Sequence, residues 1–165
     1  MKRLLRLLLP GLLAAVLVLR ADAVRAAGND LPAAVDLRQE VAQSVQAGHP
    51  LVVIFSRADC RYCETVKRDY LKPLAQDRRY PNLLIRQVNQ DSDAPLSDFL
   101  GAKTTHARFA QAQKVKLVPV VAFYGPQGRQ LAEAIVGARL PDFYQSYLEA
   151  ALAKSGSALA SQPDR

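Results

Sequence analysis

The chain has no tryptophan, a single methionine, and only two cysteines and two histidines among its 165 residues. Each scarcity narrows the chemistry. A tetrahedral zinc site needs four ligands, so a site built on Cys60 and Cys63 would have to recruit both His49 and His106. His49 stands in a Gly48-His49-Pro50 turn and His106 on a polar helix face, and both are expected at the surface. Glu64 rather than histidine follows Cys63, which excludes covalent haem attachment. Asp91, Asp93 and Asp98 lack the glycine and terminal glutamate of an EF-hand calcium loop, so they read as solvated turn residues.

Long apolar runs are missing too. The uncharged stretch from Leu7 to Leu19 falls short of the roughly 20 residues that span a bilayer. It follows a basic start of Met1, Lys2, Arg3 and Arg6 and precedes two small-residue sites, Ala21-Asp22-Ala23 and Val24-Arg25-Ala26, so it reads as a secretory signal peptide in preference to an uncleaved membrane anchor. No cysteine stands near it, which excludes a lipoprotein. Cleavage after Ala26 removes Lys2, Arg3, Arg6, Arg20 and Arg25 against Asp22, and the formal charge of +7 falls to +3. The basic residues that remain are scattered among acidic ones, a pattern that argues against nucleic-acid binding. The expected organisation is a leader over residues 1–26, one α/β domain over 27–154, and a small, polar, disordered tail over 155–165.

What is present centres on Leu51 to Cys63, LVVIFSRADCRYC. Leu51, Val52, Val53, Ile54 and Phe55 form a continuous apolar run of strand length, as expected of a central strand buried on both faces. Ser56 to Asp59 make a short connection. A helical pattern follows from Cys60, with Cys63, Val66, Tyr70, Leu71 and Leu74 on one face and a kink or end at Pro73. The two cysteines thus fall one turn apart at a helix start, where unpaired N–H groups and the helix dipole favour a thiolate. Cys60, more N-terminal, is the expected attacking sulfur and Cys63 the resolving one. Arg61 lowers the thiol pKa, while Asp59 and Glu64 oppose it. A bridge spanning two residues constrains little of the unfolded chain, so the pair reads as a redox dithiol ahead of a metal site or a structural disulfide.

Elsewhere, Asp30 caps a helix from near Leu31 to Gly48 carrying Ala34, Val35, Val41, Ala42 and Val45. Leu83 to Val88 reads as a second buried strand, parallel to the first through a helical crossover. Asn89 to Lys103 has no strong periodicity and reads as a loop or small insertion. Thr104 or Thr105 caps a helix through about Gln113, with Phe109 and Ala112 inward. Lys116 to Gly137 holds two strand-like runs joined by Gly125-Pro126-Gln127-Gly128, a hairpin signal, with Pro119 at the start of the first run. A last helix begins near Pro141 and aligns Phe143, Tyr144, Tyr147, Leu148, Ala151 and Leu152.

This order of elements resembles the thioredoxin superfamily over roughly residues 33 to 153. Cys60-Arg61-Tyr62-Cys63 follows a strand and opens a helix, and Val118-Pro119 precedes a hairpin, Gly137 and a final helix. Within the superfamily, Asp98-Phe99-Leu100-Gly101, Thr104-Thr105 and Lys114 to Pro119 are similar to an exported branch, some members of which accompany sulfur-oxidation systems. The resemblance implies a central mixed sheet of about four to five strands flanked by helices. It further implies that Pro119 is a cis-proline facing the dithiol and that Val118 pairs by its backbone with an extended substrate segment. Arg61 and Tyr62 would then shape the partner surface. Departures matter as much. The tryptophan usual before the first cysteine is Asp59, the buried aspartate is Ile54, and Gly-Pro between the cysteines is Arg61-Tyr62. An ordinary cytosolic thioredoxin is therefore not expected.

The resulting expectation is a periplasmic thiol–disulfide oxidoreductase that reduces protein disulfides, fed by a membrane electron donor, monomeric, and needing no cofactor. Its alternatives are an oxidase that donates the Cys60–Cys63 disulfide and a Cu(I)-binding chaperone using the two thiolates.

Overall fold

The computed structural model describes residues 31–138 and 141–161. The leader read over residues 1–26, Asp30 as a cap, and the end of the tail at 162–165 lie outside the described residues.

The apolar run forms β1 (Leu51–Ser56), and every one of its residues is buried. It lies inside a four-stranded sheet of order β2-β1-β5-β6, with β2 (Ile85–Asn89), β5 (Val120–Tyr124) and β6 (Gln130–Val136). β1 pairs parallel with β2 and antiparallel with β5, and β5 pairs antiparallel with β6. Alternation along β1 divides the core. Val52 and Ile54 join Val121, Phe123, Val66, Leu71, Leu74, Tyr144 and Leu148 on one face. Val53 and Phe55 join Leu37, Val41, Val88, Leu96, Phe99 and Phe109 on the other. Each fully buried side chain of this size contributes about 1.5–3 kcal/mol, and β1 carries no polar residue before its last position.

The first helix differs from its expected position. α1 spans Leu37–Gln46 and is capped by Asp36, whose carboxylate accepts the Gln39 N–H at 3.0 Å. The preceding residues are extended instead: Ala34 N–H bonds Gln87 C=O, and Gln87 N–H bonds Pro32 C=O, both at 2.9 Å. Buried Leu31 and Ala34 therefore fit the helical spacing only by coincidence. Pairing with Gln87 satisfies the Ala34 N–H and the Pro32 C=O and overrides local propensity.

The dithiol helix comprises α2 (Arg61–Val66), a π-turn (Lys67–Leu71) and α3 (Lys72–Ala75). The wide turn immediately precedes Pro73, whose ring would press on the carbonyl of Asp69 in a regular α-helix. The helix thus widens and continues past the proline.

The polar segment after β2 is structured. β3 (Pro95–Ser97) and β4 (Lys103–Thr105) form an antiparallel hairpin, and its loop buries Phe99 against Phe109 and Tyr124. Strands of three residues are too short to announce themselves by periodicity. α4 (His106–Ala112) follows, capped by Thr105. It turns Phe109 and Ala110 inward, whereas Ala112 is exposed. The last helix, α5 (Pro141–Ala160), buries Tyr144, Leu148, Ala151 and Leu152 but leaves Phe143 and Tyr147 largely exposed. It runs past the expected tail boundary. Ser155 is buried and its hydroxyl bonds Ala151 C=O at 2.7 Å, so its small polar residues serve the helix through Ala160.

Candidate active site

β1 delivers the chain to the dithiol through exposed Arg57, Ala58 and Asp59. Asp59 adopts a left-handed backbone, φ 55°, which aspartate tolerates better than most residues. Cys60 then takes the N-cap position, extended at φ −96° and ψ 90°, and the helix proper begins at Arg61.

Cys60 and Cys63 are joined by a disulfide with S–S 2.06 Å, χ3 72° and Cα–Cα 5.2 Å. The Cys60 sulfur accepts the Cys63 backbone N–H at 3.2 Å. It fills the position where a serine or aspartate oxygen usually caps a helix, so the donor that caps the helix here also faces the sulfur that must carry charge once reduced. The sulfurs differ in access. Cys60 retains 8% exposure and Cys63 none, which makes Cys60 the one open to a partner.

Around Cys60, Arg61 is exposed and Tyr62 is 67% exposed, so neither packs into the core. Opposite them lies the segment entering β5. Phe55 pairs with Val120, and one further step in that register brings Pro119 across from Ser56, at the dithiol end of the sheet. The Val118–Pro119 bond is cis. Pro119 C=O accepts the Gly137 N–H at 2.8 Å, which ties this segment to the end of β6. Neither the N–H nor the C=O of Val118 has a partner among the described residues, and its neighbour Leu117 is 71% exposed. The six residues read from the sequence as site residues, Cys60, Arg61, Tyr62, Cys63, Val118 and Pro119, thus lie at one end of the sheet.

Polar groups stand on the segments that flank the dithiol. Ser56 ends β1 on the same face as Val52 and Ile54, wholly buried, and its hydroxyl has no partner among the described residues. Glu64 pairs with Lys67, Oε1 to Nζ 2.6 Å, and Lys67 is almost fully buried. Asp91, beyond β2, reaches back to Ala58 N–H. Sequence reading passed over Lys67 and Ser56. The sequence offers for Lys67 only its place four residues after Cys63 on the apolar stripe, which does not distinguish a buried lysine from one that extends to water.

His106 is not at the surface. It is 2% exposed, its Nδ1 accepts the Asn89 N–H at 3.1 Å, and its Nε2 meets Ala34 C=O at 3.0 Å. Both ring nitrogens are engaged in joining β2, α4 and the extended entry segment. Burial lowers its pKa, with the Ala34 carbonyl acting weakly the other way. His49 is half-buried, with Nε2 3.1 Å from Pro81 C=O and its ring edge-on to Tyr80. Among the described residues no group of three or more histidine, cysteine or acidic side chains is arranged to hold a metal ion.

A family model described as thioredoxin-like domain matches residues 37–152. Among solved structures, the chain is similar to a poplar thioredoxin h, at 18% identity, TM-score 0.49, covering 71% of this chain and 95% of that one. It is similar to a Fasciola hepatica thioredoxin at 17% identity and TM-score 0.49, covering 73% and 98%. A thioredoxin-fold protein from Helicobacter pylori matches at 20% identity and TM-score 0.48, covering 69% and 73%. No curated protein matches. The chain belongs to the thioredoxin-like domain family, and that membership together with the Cys60–Cys63 disulfide supports thiol–disulfide oxidoreductase activity.

Proposed function

We propose that this thioredoxin-like chain is an exported thiol–disulfide oxidoreductase that reduces disulfides of partner proteins in the periplasm. The observation that carries the reading is the inequality of the two sulfurs: Cys60 reaches the surface and Cys63 does not. In the reduced protein the Cys60 thiolate attacks a partner disulfide, the partner S–S bond breaks, and one partner thiolate leaves and takes a proton. The Cys63 thiolate then attacks the Cys60 sulfur, the mixed disulfide breaks, and the second partner thiol is released. Two electrons pass from the dithiol to the partner, and the Cys60–Cys63 bond is the oxidised product. The vacant N–H and C=O of Val118 suit an extended partner segment laid beside Cys60, and exposed Tyr62 and Leu117 offer it apolar contact.

Reduction as the working direction, and a membrane-bound donor that regenerates the dithiol, follow from the likeness to exported thioredoxin-related proteins. The test uses Cys63→Ser, which should hold partners on Cys60 as mixed disulfides recoverable from the exported fraction. Recovery of none, with the protein present and folded, would sink the reading. The reduction potential decides direction. A value near about −270 mV fits a reductase, and one near about −120 mV makes disulfide donation the function.

A further inference from the structure

Lysine is among the residues least often found fully buried, yet Lys67 is 1% exposed. It stands four residues after Cys63 and seven after Cys60, so all three share one stripe of the helix surface. Helical side chains lean toward the N-terminus, which lays the Lys67 stem over the turn holding Cys63. Its head group meets Glu64 Oε1 at 2.6 Å, and the side chain of Glu64, next in sequence to Cys63, is 44% exposed. The ammonium is thus tied to the residue that follows Cys63 in the chain. The strand beneath supplies Ile54 and Ser56, neither of them charged, while Cys63 is wholly buried. A wholly buried thiolate is disfavoured unless a cation is near.

We propose that Lys67 is a charge-positioning residue for the resolving step: its ammonium, tethered by Glu64, stabilises the thiolate of Cys63. The inference rests on the oxidoreductase reading above and names how the second sulfur is made reactive. In the mixed disulfide, the Cys63 thiol gives its proton to water and its thiolate attacks the Cys60 sulfur. The Cys60–partner bond breaks, and the departing partner thiolate takes a proton from water. Lys67 keeps its own protons throughout and acts by its field. Glu64 holds the ammonium in place while moderating that field, so the two residues have opposite effects on the same thiol.

The experiment titrates the lone thiol of Cys60→Ser by thiolate absorbance, with and without Lys67→Met, Lys67→Arg and Glu64→Gln. It also follows the pH profile of partner release from a Cys60 mixed disulfide made with a small aromatic thiol. Lys67→Met should raise the Cys63 pKa by about one unit, which is about tenfold less thiolate at neutral pH, and slow release about tenfold. Lys67→Arg should restore most of the rate, and Glu64→Gln should shift the pKa downward. A buried lysine with a purely structural role would change the melting temperature and leave these profiles superimposed, and that outcome overturns the proposal. Should Lys67→Met not fold, Glu64→Gln decides alone, because a Cys63 pKa that stays or rises there also overturns it. If the unaltered protein releases no partner thiol at all, the oxidoreductase reading falls first. If it does release it and the variants leave the Cys63 pKa and the release rate unchanged, the inference alone falls.

Discussion

The carboxylate of Asp91 accepts the backbone N–H of Ala58 at 2.8 Å. Next to it, Gln90 N–H bonds Ser56 C=O at 2.8 Å. The turn after β2 therefore holds both ends of the short connection that presents Cys60. Asp91→Ala should cost about 1 kcal/mol and slow attack by Cys60 on a model disulfide. Asp91→Asn, which keeps an acceptor oxygen, should do neither. Denaturant unfolding and stopped-flow exchange check the two arms, and equal slowing in both variants would refute the hydrogen bond as the cause.

His106 predicts a pH dependence of stability. In the fold its Nδ1 accepts from Asn89, so the neutral ring carries its proton on Nε2 and donates to Ala34. Burial lowers the folded pKa below the ordinary 6.5. The unfolded chain therefore binds the proton first as pH falls. Stability from this group is complete above about pH 6.5 and declines as pH drops from there toward the folded value. His106→Gln should remove that decline. Unfolding free energies compared between pH 7.5 and 5 test it, and identical slopes for the two proteins would count against the assignment.

Gly128 has φ +77°, and a Cβ built there would fall on the ring of Phe99. Gly128→Ala combines backbone strain with a clash against a residue packed on Phe109 and Tyr124, so a loss of about 2–3 kcal/mol is expected. Gly48→Ala also has positive φ, but its Cβ would meet open space, so it should cost less, about 1 kcal/mol. Thermal melts of the two variants make the comparison direct.

Ser56→Ala removes a buried hydroxyl that has no partner among the described residues. The oxidised protein should become more stable by about 1 kcal/mol, because an unsatisfied polar group costs its full desolvation. A higher urea midpoint is the expected readout. A lower one would mean that the hydroxyl is engaged in solution.

The parts of this molecule legible in the sequence are those whose signal is local and repeated. β1 was readable because five apolar residues in a row have few uses other than a doubly covered strand, and the dithiol because its spacing places both sulfurs on one helical turn. Tertiary pairing overrode what was misread. Leu31 and Ala34 carry helical spacing, yet the backbone of residues 32–34 is paired with Gln87 of β2. His106 looks polar and exposed along α4, yet it is enclosed by two segments far away in sequence. Phe143 and Tyr147 share the apolar side of α5 by spacing, yet both are largely exposed, while Tyr144 and Leu148 are buried. Lys67 was missed because a lysine on an apolar stripe ordinarily extends to water, and only the packed helix shows that it does not.

The pairing of residues 32–34 with β2 has a consequence for self-association. A sheet normally presents two raw borders, each able to copy itself onto a neighbouring molecule. Here the β2 border is insulated by the chain's own backbone over that stretch, through the Ala34 and Gln87 hydrogen bonds. The border left for templated aggregation is β6, at the far side of the sheet, where Val136 is 55% exposed. Of the two borders of this sheet among the described residues, β6 is therefore the one to guard against insoluble assembly, and a lysine at position 136 is the place to begin.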